Sequence, residues 1–167
     1  LKNFRYNGLS DGLDNSRKFS ERQINKKIEE FKLILKKFDY EFKDILKRFD
    51  DKNVGNNNIF VKIDKYFIDF NQISIVLSYL LIEKYILKKT NQISNVLEIG
   101  AGYGNLAKIL LQDNKLKYFM VDLPENLLLQ IYYLNQNYPE LKIYLNKGEK
   151  IHIRELQNYD LFFFTPD

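Results

Sequence analysis

The chain has 167 residues, an apolar content of 45% and 15% aromatics, enough for one packed domain with a helical appendage and too apolar for disorder. It has no cysteine and one histidine, His152, which excludes disulfides and thiolate metal sites and argues against a histidine metal centre. Its net charge of +4 comes from lysines spread among acids, no apolar run reaches the roughly 18 residues of a membrane span, and nothing resembles a signal peptide, so we expect no nucleic-acid partner, no membrane partner and a cytoplasmic location.

Residues 1–19 read as a polar arm rich in Gly, Asn, Asp and Ser. Ser20 followed by Gln23 has the pattern of a capping box, and a long helix is predicted from there to about residue 49. Ile24, Ile28, Phe31, Leu35, Phe38, Phe42, Ile45 and Phe49 alternate spacings of four and three, a heptad seam. The plainer reading packs this face on the same protein, since phenylalanine is bulky for a two-stranded coil. The alternative is a homodimer seam, or a lid over a substrate. Residues 50–58 read as a turn around Gly55, and residues 59–70 as irregular. Residues 71–89 read as a second helix, apolar almost all round and so largely buried. This closes a helical region, 20–90.

From 91 to 167 the pattern changes to strands at 95–99, 117–122, 141–145 and 160–165, with helices at 104–113 and 125–137. Pro124 stands where a helix start tolerates it, and Tyr138-Pro139 closes the same helix. Alternation of this kind predicts an α/β class with a parallel sheet and right-handed crossovers. Ligands in such sheets bind at the carboxyl ends of the strands, where strand order reverses, and Gly100 and Asp122 are expected there.

The chemistry concentrates in Val96-Leu97-Glu98-Ile99-Gly100-Ala101-Gly102-Tyr103-Gly104 and in Val121-Asp122-Leu123-Pro124. A strand ending in glycines lets main-chain N–H groups and a helix N-terminus approach a ligand with no side chain between. A carboxylate ending the next strand is placed to accept both hydroxyls of a ribose. Two registers are open. Gly102-x-Gly104-x-x-Ala107, with Asp122 twenty residues beyond Gly102, fits a dinucleotide fingerprint and an NAD(P)-dependent oxidoreductase. The other register uses Glu98 and all three glycines. An acid before the glycines suits a cationic ligand and opposes a diphosphate.

That second pattern resembles the first motif of class I S-adenosylmethionine-dependent methyltransferases. The stretch 97–107 with Tyr118-Phe119-Met120-Val121-Asp122-Leu123-Pro124-Glu125-Asn126-Leu127-Leu128-Leu129-Gln130 is similar to the sugar O-methyltransferases of bacterial polysaccharide clusters. The resemblance is clearest over residues 95–135 and thinner over 7–14. It implies a Rossmann-like parallel sheet of which the first four strands are present, behind N-terminal helices. It implies S-adenosylmethionine as cofactor and a small-molecule sugar acceptor. Glu98 would hold the methionine amino group; Gly100, Ala101, Gly102 and Gly104 would pass beside methionine and ribose; Asp122 would bind the ribose hydroxyls; and Leu123 would pack on the adenine or ribose, or fill the core. A seven-stranded family sheet also implies that 91–167 is incomplete at its C-terminal end, leaving the apolar run 161–164 as an exposed edge.

No catalytic residue is assigned. Asp167, after Thr165-Pro166, reads as a helix cap ahead of a general base or cation ligand. His152 reads as a surface or packing residue ahead of a base. Asn146 and Glu149 stand where an adenine amine finds polar partners. The remaining alternative is a non-catalytic interaction module on a decayed nucleotide-binding domain.

Overall fold

The computed structural model describes residues 20–50, 54–56, 60–63, 65–69, 72–89, 93–112, 115–150 and 152–166, and the chain divides into two compact units, residues 2–90 and 91–167.

In the first unit, helix α1 spans Glu21–Lys37 and opens on Ser20, whose Oγ accepts from Gln23 N while Gln23 Oε1 accepts from Ser20 N at 2.9 Å. The two otherwise unmet N–H groups satisfy each other's side chains, which is why the helix starts there. The single helix expected over 20–49 is instead two helices. α1 stops at Phe38, Asp39 takes a left-handed φ of 61°, and α2 resumes at Phe42–Phe49. Aspartate is among the few residue types that enter this region at low cost. The heptad seam runs unbroken through the break because apolar spacing alone carries no information about a single reversed residue. Phe31 and Phe42 meet edge to face at 5.8 Å across the corner, and Phe31, Leu35, Ile45, Leu46 and Phe49 are buried. The continuous stripe that a long coiled-coil seam requires is therefore absent.

Residues expected to be irregular form an antiparallel hairpin, β1 (Phe60–Ile63) with β2 (Tyr66–Asp69), in the register Phe60↔Asp69 to Ile63↔Tyr66. Helix α3 (Gln72–Tyr85) follows, with a 3-10 turn at Leu87–Lys89. Val76, Tyr79 and Leu80 are buried, but Leu77, Leu81 and Tyr85, four apart, are exposed, so the helix is not buried all round as its composition suggests. Tyr40, just past the break, donates its hydroxyl to Glu83 and accepts from Lys88 Nζ at 2.7 Å, tying the corner to α3.

The second unit runs β3 (Asn95–Ile99), α4 (Asn105–Leu111), β4 (Lys117–Val121), α5 (Pro124–Asn137), β5 (Ile143–Leu145), α6 (Ile153–Leu156) and β6 (Leu161–Phe164). All four strands are parallel, in the order β3-β4-β6-β5. This is an α/β unit with a four-stranded parallel sheet, compatible with a Rossmann-like fold. The steps from β3 to β4 and from β4 to β5 move in the same direction along the sheet, so right-handed crossovers lay α4 and α5 on one face. Tyr118, Met120, Leu161 and Phe163 point to that face and are fully buried, as are Ala107 and Ile109 of α4 and Tyr133 and Leu134 of α5. The opposite face carries an aromatic row: Phe119 and Phe162 stack at 4.4 Å and 8°, and Tyr144 meets Tyr159 edge-on at 5.3 Å.

Two expectations fail in this sheet. The run 161–164 is not an edge: β6 pairs with β4 on one side and β5 on the other, and Leu161, Phe162 and Phe163 are buried. The edge is β3, where Leu97 is 63% and Ile99 75% exposed. In the usual doubly wound order the fourth strand lies beside the first, and the reversal between them makes the ligand crevice. Here β6 lies beyond β4, so Gly100 and Asp122 end two adjacent strands at the sheet edge, not at a reversal of strand order. Among the described residues no helix is long and apolar enough to cross a membrane.

The placement of β6 has a direct energetic consequence. In a double-mutant cycle, Phe119→Leu and Phe162→Leu should show a coupling of about 0.5–1.5 kcal/mol in urea unfolding, the worth of a stacked aromatic pair beyond its buried area. A coupling near zero would mean that β6 does not lie against β4.

Candidate functional site

Residues Ile99 and Val121 are paired in register, and Gly100 N donates to Val121 O at 2.9 Å, so β3 and β4 end side by side. Beyond this last rung the chain turns through Gly100, Gly102 and Gly104, with φ of 71°, 58° and 91°. At Gly104 the left-handed backbone that caps α4 would strain any L side chain, and a Cβ there would stand in contact with Leu134, 3.4 Å from Cγ and Cδ1. At Gly100 a Cβ would meet nothing within 4 Å, so the main chain faces open space. Tyr103, between the last two glycines, is buried edge-on against Tyr133 at 5.0 Å, and its hydroxyl accepts from Asn105 Nδ2 at 2.9 Å. The turn is thus anchored to α5 by a side chain that faces inward, while Gly100 leaves the outer surface bare.

Asp122 follows β4 and is 8% exposed; its N–H donates to Phe164 O at 3.1 Å. A carboxylate so buried needs donors. Its Oδ1 accepts from Leu123 N at 2.9 Å and Asn126 Nδ2 at 2.8 Å, and its Oδ2 from Gln130 Nε2 at 2.7 Å. The same Gln130 amide donates to Gly102 O at 2.9 Å. Pro124 starts α5 two residues after Asp122, so positions 126 and 130, at intervals of four, fall on the helix side that overlooks the carboxylate. The sequence reading places this carboxylate to accept both hydroxyls of a ribose. A carboxylate has about four acceptor positions, and the protein's own donors fill three of them.

Glu98 lies on the helix-covered face of β3, half-buried, and its Oε2 accepts from the Tyr118 hydroxyl at 2.9 Å. Burial pushes the Glu98 carboxyl above its ordinary value of 4.5; the Tyr118 hydrogen bond opposes this, and the negative charge of Asp122 adds to it. Burial, with the Glu98 charge and hydrogen bond beside it, also pushes the Tyr118 phenol up, so Tyr118 remains a hydrogen-bond donor. The two carboxylates therefore sense each other across the glycine turn.

The structure brings Glu98, Gly100, Ala101, Gly102, Gly104 and Asp122 together at one end of the β3–β4 pair. Leu123 is 51% exposed beside them, so it does not fill the core. The other candidates lie elsewhere. The end of β6 adjoins Asp122, which puts Thr165 on the far side of Asp122 from the glycine turn. Asn146 is two strand spacings from Asp122, roughly 9–10 Å, because β6 intervenes, and its Oδ1 accepts from Gly148 N. His152 is exposed at the start of α6. The end of α6 is held at the opposite end of the sheet, where Lys117 Nζ donates to the carbonyls of Leu156 and Tyr159 at 2.5 and 2.8 Å. Asp167 lies outside the described residues. Sequence reading gave Asn126 and Gln130 no role of their own, although both lie in the stretch that carries the resemblance; their signal was the four-residue spacing from a strand-end aspartate.

Among the described residues no group of three or more His, Asp or Glu side chains is placed to hold a metal ion. No family model, no curated protein and no solved structure matches the chain. The donor set that remains is two carboxylates beside bare main chain, which suits a ligand bearing positive charge and hydroxyl donors.

The raised Glu98 carboxyl predicts a pH signature. A folded-state value above the unfolded one means that the folded protein holds this proton longer, so the group's contribution to stability is complete below about pH 4.5 and is lost as pH rises through the raised value. Glu98→Gln keeps an acceptor for Tyr118 and removes the titration. Its stability relative to wild type, measured by urea midpoint, should increase from acidic to neutral pH; a constant difference would show that Glu98 is not strained by burial.

Proposed function

We propose that the second unit binds S-adenosylmethionine and that the protein is an S-adenosylmethionine-dependent O-methyltransferase, with a sugar hydroxyl as acceptor. The observation that carries the reading is the pair of carboxylates, Glu98 and Asp122, on neighbouring strand ends flanking an open glycine turn. A ligand with a sulfonium and an ammonium relieves their mutual repulsion, whereas a diphosphate would add to it. The same argument weighs against an NAD(P) site, although Gly102-x-Gly104-x-x-Ala107 fits that fingerprint.

In this reading Glu98 faces the ammonium of the methionine moiety. The main chain of Gly100 to Gly104 runs beside methionine and ribose, Asp122 accepts a ribose hydroxyl, and the exposed Leu123 offers an apolar face to the adenine. The cofactor supplies an activated methyl group. The chain's own contribution is to fix the orientation of that cofactor, so that a displacement at carbon by an acceptor oxygen proceeds from an aligned complex. The sugar acceptor rests on the resemblance of residues 97–107 and 118–130 to sugar O-methyltransferases.

Calorimetric titration of the full chain tests this. S-adenosylhomocysteine should bind and NAD should not, and Asp122→Ala should weaken the former by about 1.5–3 kcal/mol, the worth of hydrogen bonds to a charged group. Heat with NAD alone would overturn the proposal in favour of an oxidoreductase. Binding unchanged in Asp122→Ala would remove Asp122 from the site.

A further inference from the structure

We propose that Gln130 is a positioning residue for the nucleoside, and that the network it completes makes the site read one ribose hydroxyl in preference to the other. The inference rests on the S-adenosylmethionine reading above and adds a residue and a selectivity to it. Gln130 is fully buried in the second turn of α5 and beyond, and its one NH₂ group spans two elements: one hydrogen goes to Gly102 O in the glycine turn, the other to Asp122 Oδ2 at the end of β4. These acceptors lie on the two walls of the site, so the amide sets the distance between the main chain that would carry the methionine and ribose and the carboxylate that would hold the ribose.

The amide's orientation is forced. Turning it over would aim its oxygen at two other oxygens, so Nε2 must face Gly102 and Asp122. The consequence is that Gln130 Oε1 is left buried without a hydrogen-bond partner. An unmet buried carbonyl is a cost that packing alone does not explain, and such exceptions are found where a group is held for what it positions.

The count of acceptor positions gives the selectivity. Asn126 and Leu123 N occupy Oδ1, and Gln130 occupies one of the two positions on Oδ2. About one position is left, on the oxygen that Gln130 orients. One ribose hydroxyl can donate there; the second must find another partner. Without the Gln130 amide, Oδ2 regains a position and loses the contact that fixes it relative to Gly102, so the distinction between the hydroxyls disappears.

The test is calorimetry on the full chain with S-adenosylhomocysteine and its two deoxyribose analogues, each lacking one ribose hydroxyl. In wild type, one analogue should bind roughly tenfold or more weakly and the other within about threefold of the parent. In Gln130→Met, of similar length but without the amide, the two analogues should bind within about threefold of each other, an outcome that a loss of general stability would not produce because it weakens both alike. Gln130→Glu provides an independent reading. Its protonated form donates to Asp122 Oδ2 and its ionised form repels it, so discrimination should fade as pH rises, with wild type flat over the same range. Equal losses for both analogues in wild type overturn the one-hydroxyl claim, which the wild-type comparison decides by itself. Discrimination retained in Gln130→Met, or independent of pH in Gln130→Glu, overturns the positioning role. Absence of any wild-type affinity for S-adenosylhomocysteine, seen before a variant is made, overturns the cofactor reading and this inference with it.

Discussion

Asp122 is a charge placed out of water at the junction of a strand and a helix, and its neighbourhood is arranged to meet it. Leu123 N, Asn126 and Gln130 are all brought to it by the start of α5 at Pro124, and Gln130 carries the connection on to the glycine turn. Through these contacts the carboxylate couples the ends of β3 and β4, the first two turns of α5 and the main chain at Gly102. A buried carboxylate deprived of its donors is costly, so the same contacts that satisfy it also make the turn rigid. The nearby Glu98 is raised by burial and by the Asp122 charge, while its hydrogen bond from Tyr118 opposes the shift.

The handedness of parallel crossovers explains why the unit is two-faced. Steps in one direction put α4 and α5 together, and everything beneath them is dry: Tyr118, Met120, Leu161 and Phe163 are fully buried. The opposite face is stiffened instead by ring stacking, Phe119 on Phe162 and Tyr144 on Tyr159. Because β6 inserts between β4 and β5, the glycine turn stands on the edge strand with open space beside Gly100. The end of β6 adjoins Asp122 on the side away from the glycine turn, and β5 lies one strand farther.

Features that depend on a few neighbouring residues were legible. The Ser20–Gln23 box is closed within one helical turn, Pro124 starts its helix because its missing N–H has no partner to lose, and the glycines adopt the left-handed φ that a residue without a Cβ enters freely. Strand and helix alternation after residue 91 followed from apolar periodicity. What escaped was less local or less periodic. The hairpin 60–69 has strands of four residues, too short for alternation to declare itself. The break at Asp39 is one residue with reversed φ inside a repeat that continues on both sides. Asn126 and Gln130 are ordinary polar helix residues until α5 is laid over Asp122.

By itself the sequence determined the α/β character of residues 91–167, the glycine turn and the acids that end its first two strands, because each is encoded by residues adjacent in the chain whose backbone preferences need no partner. Only the tertiary structure decided the strand order, which edge is exposed, and how many acceptor positions Asp122 retains. Strand order and the exposed edge depend on which distant segments meet; the donors to Asp122 stand only 1, 4 and 8 residues away, but they reach it only once α5 sets its angle to β4, and the Gln130 contact to Gly102, 28 residues back, forms only after the sheet and its helix have packed.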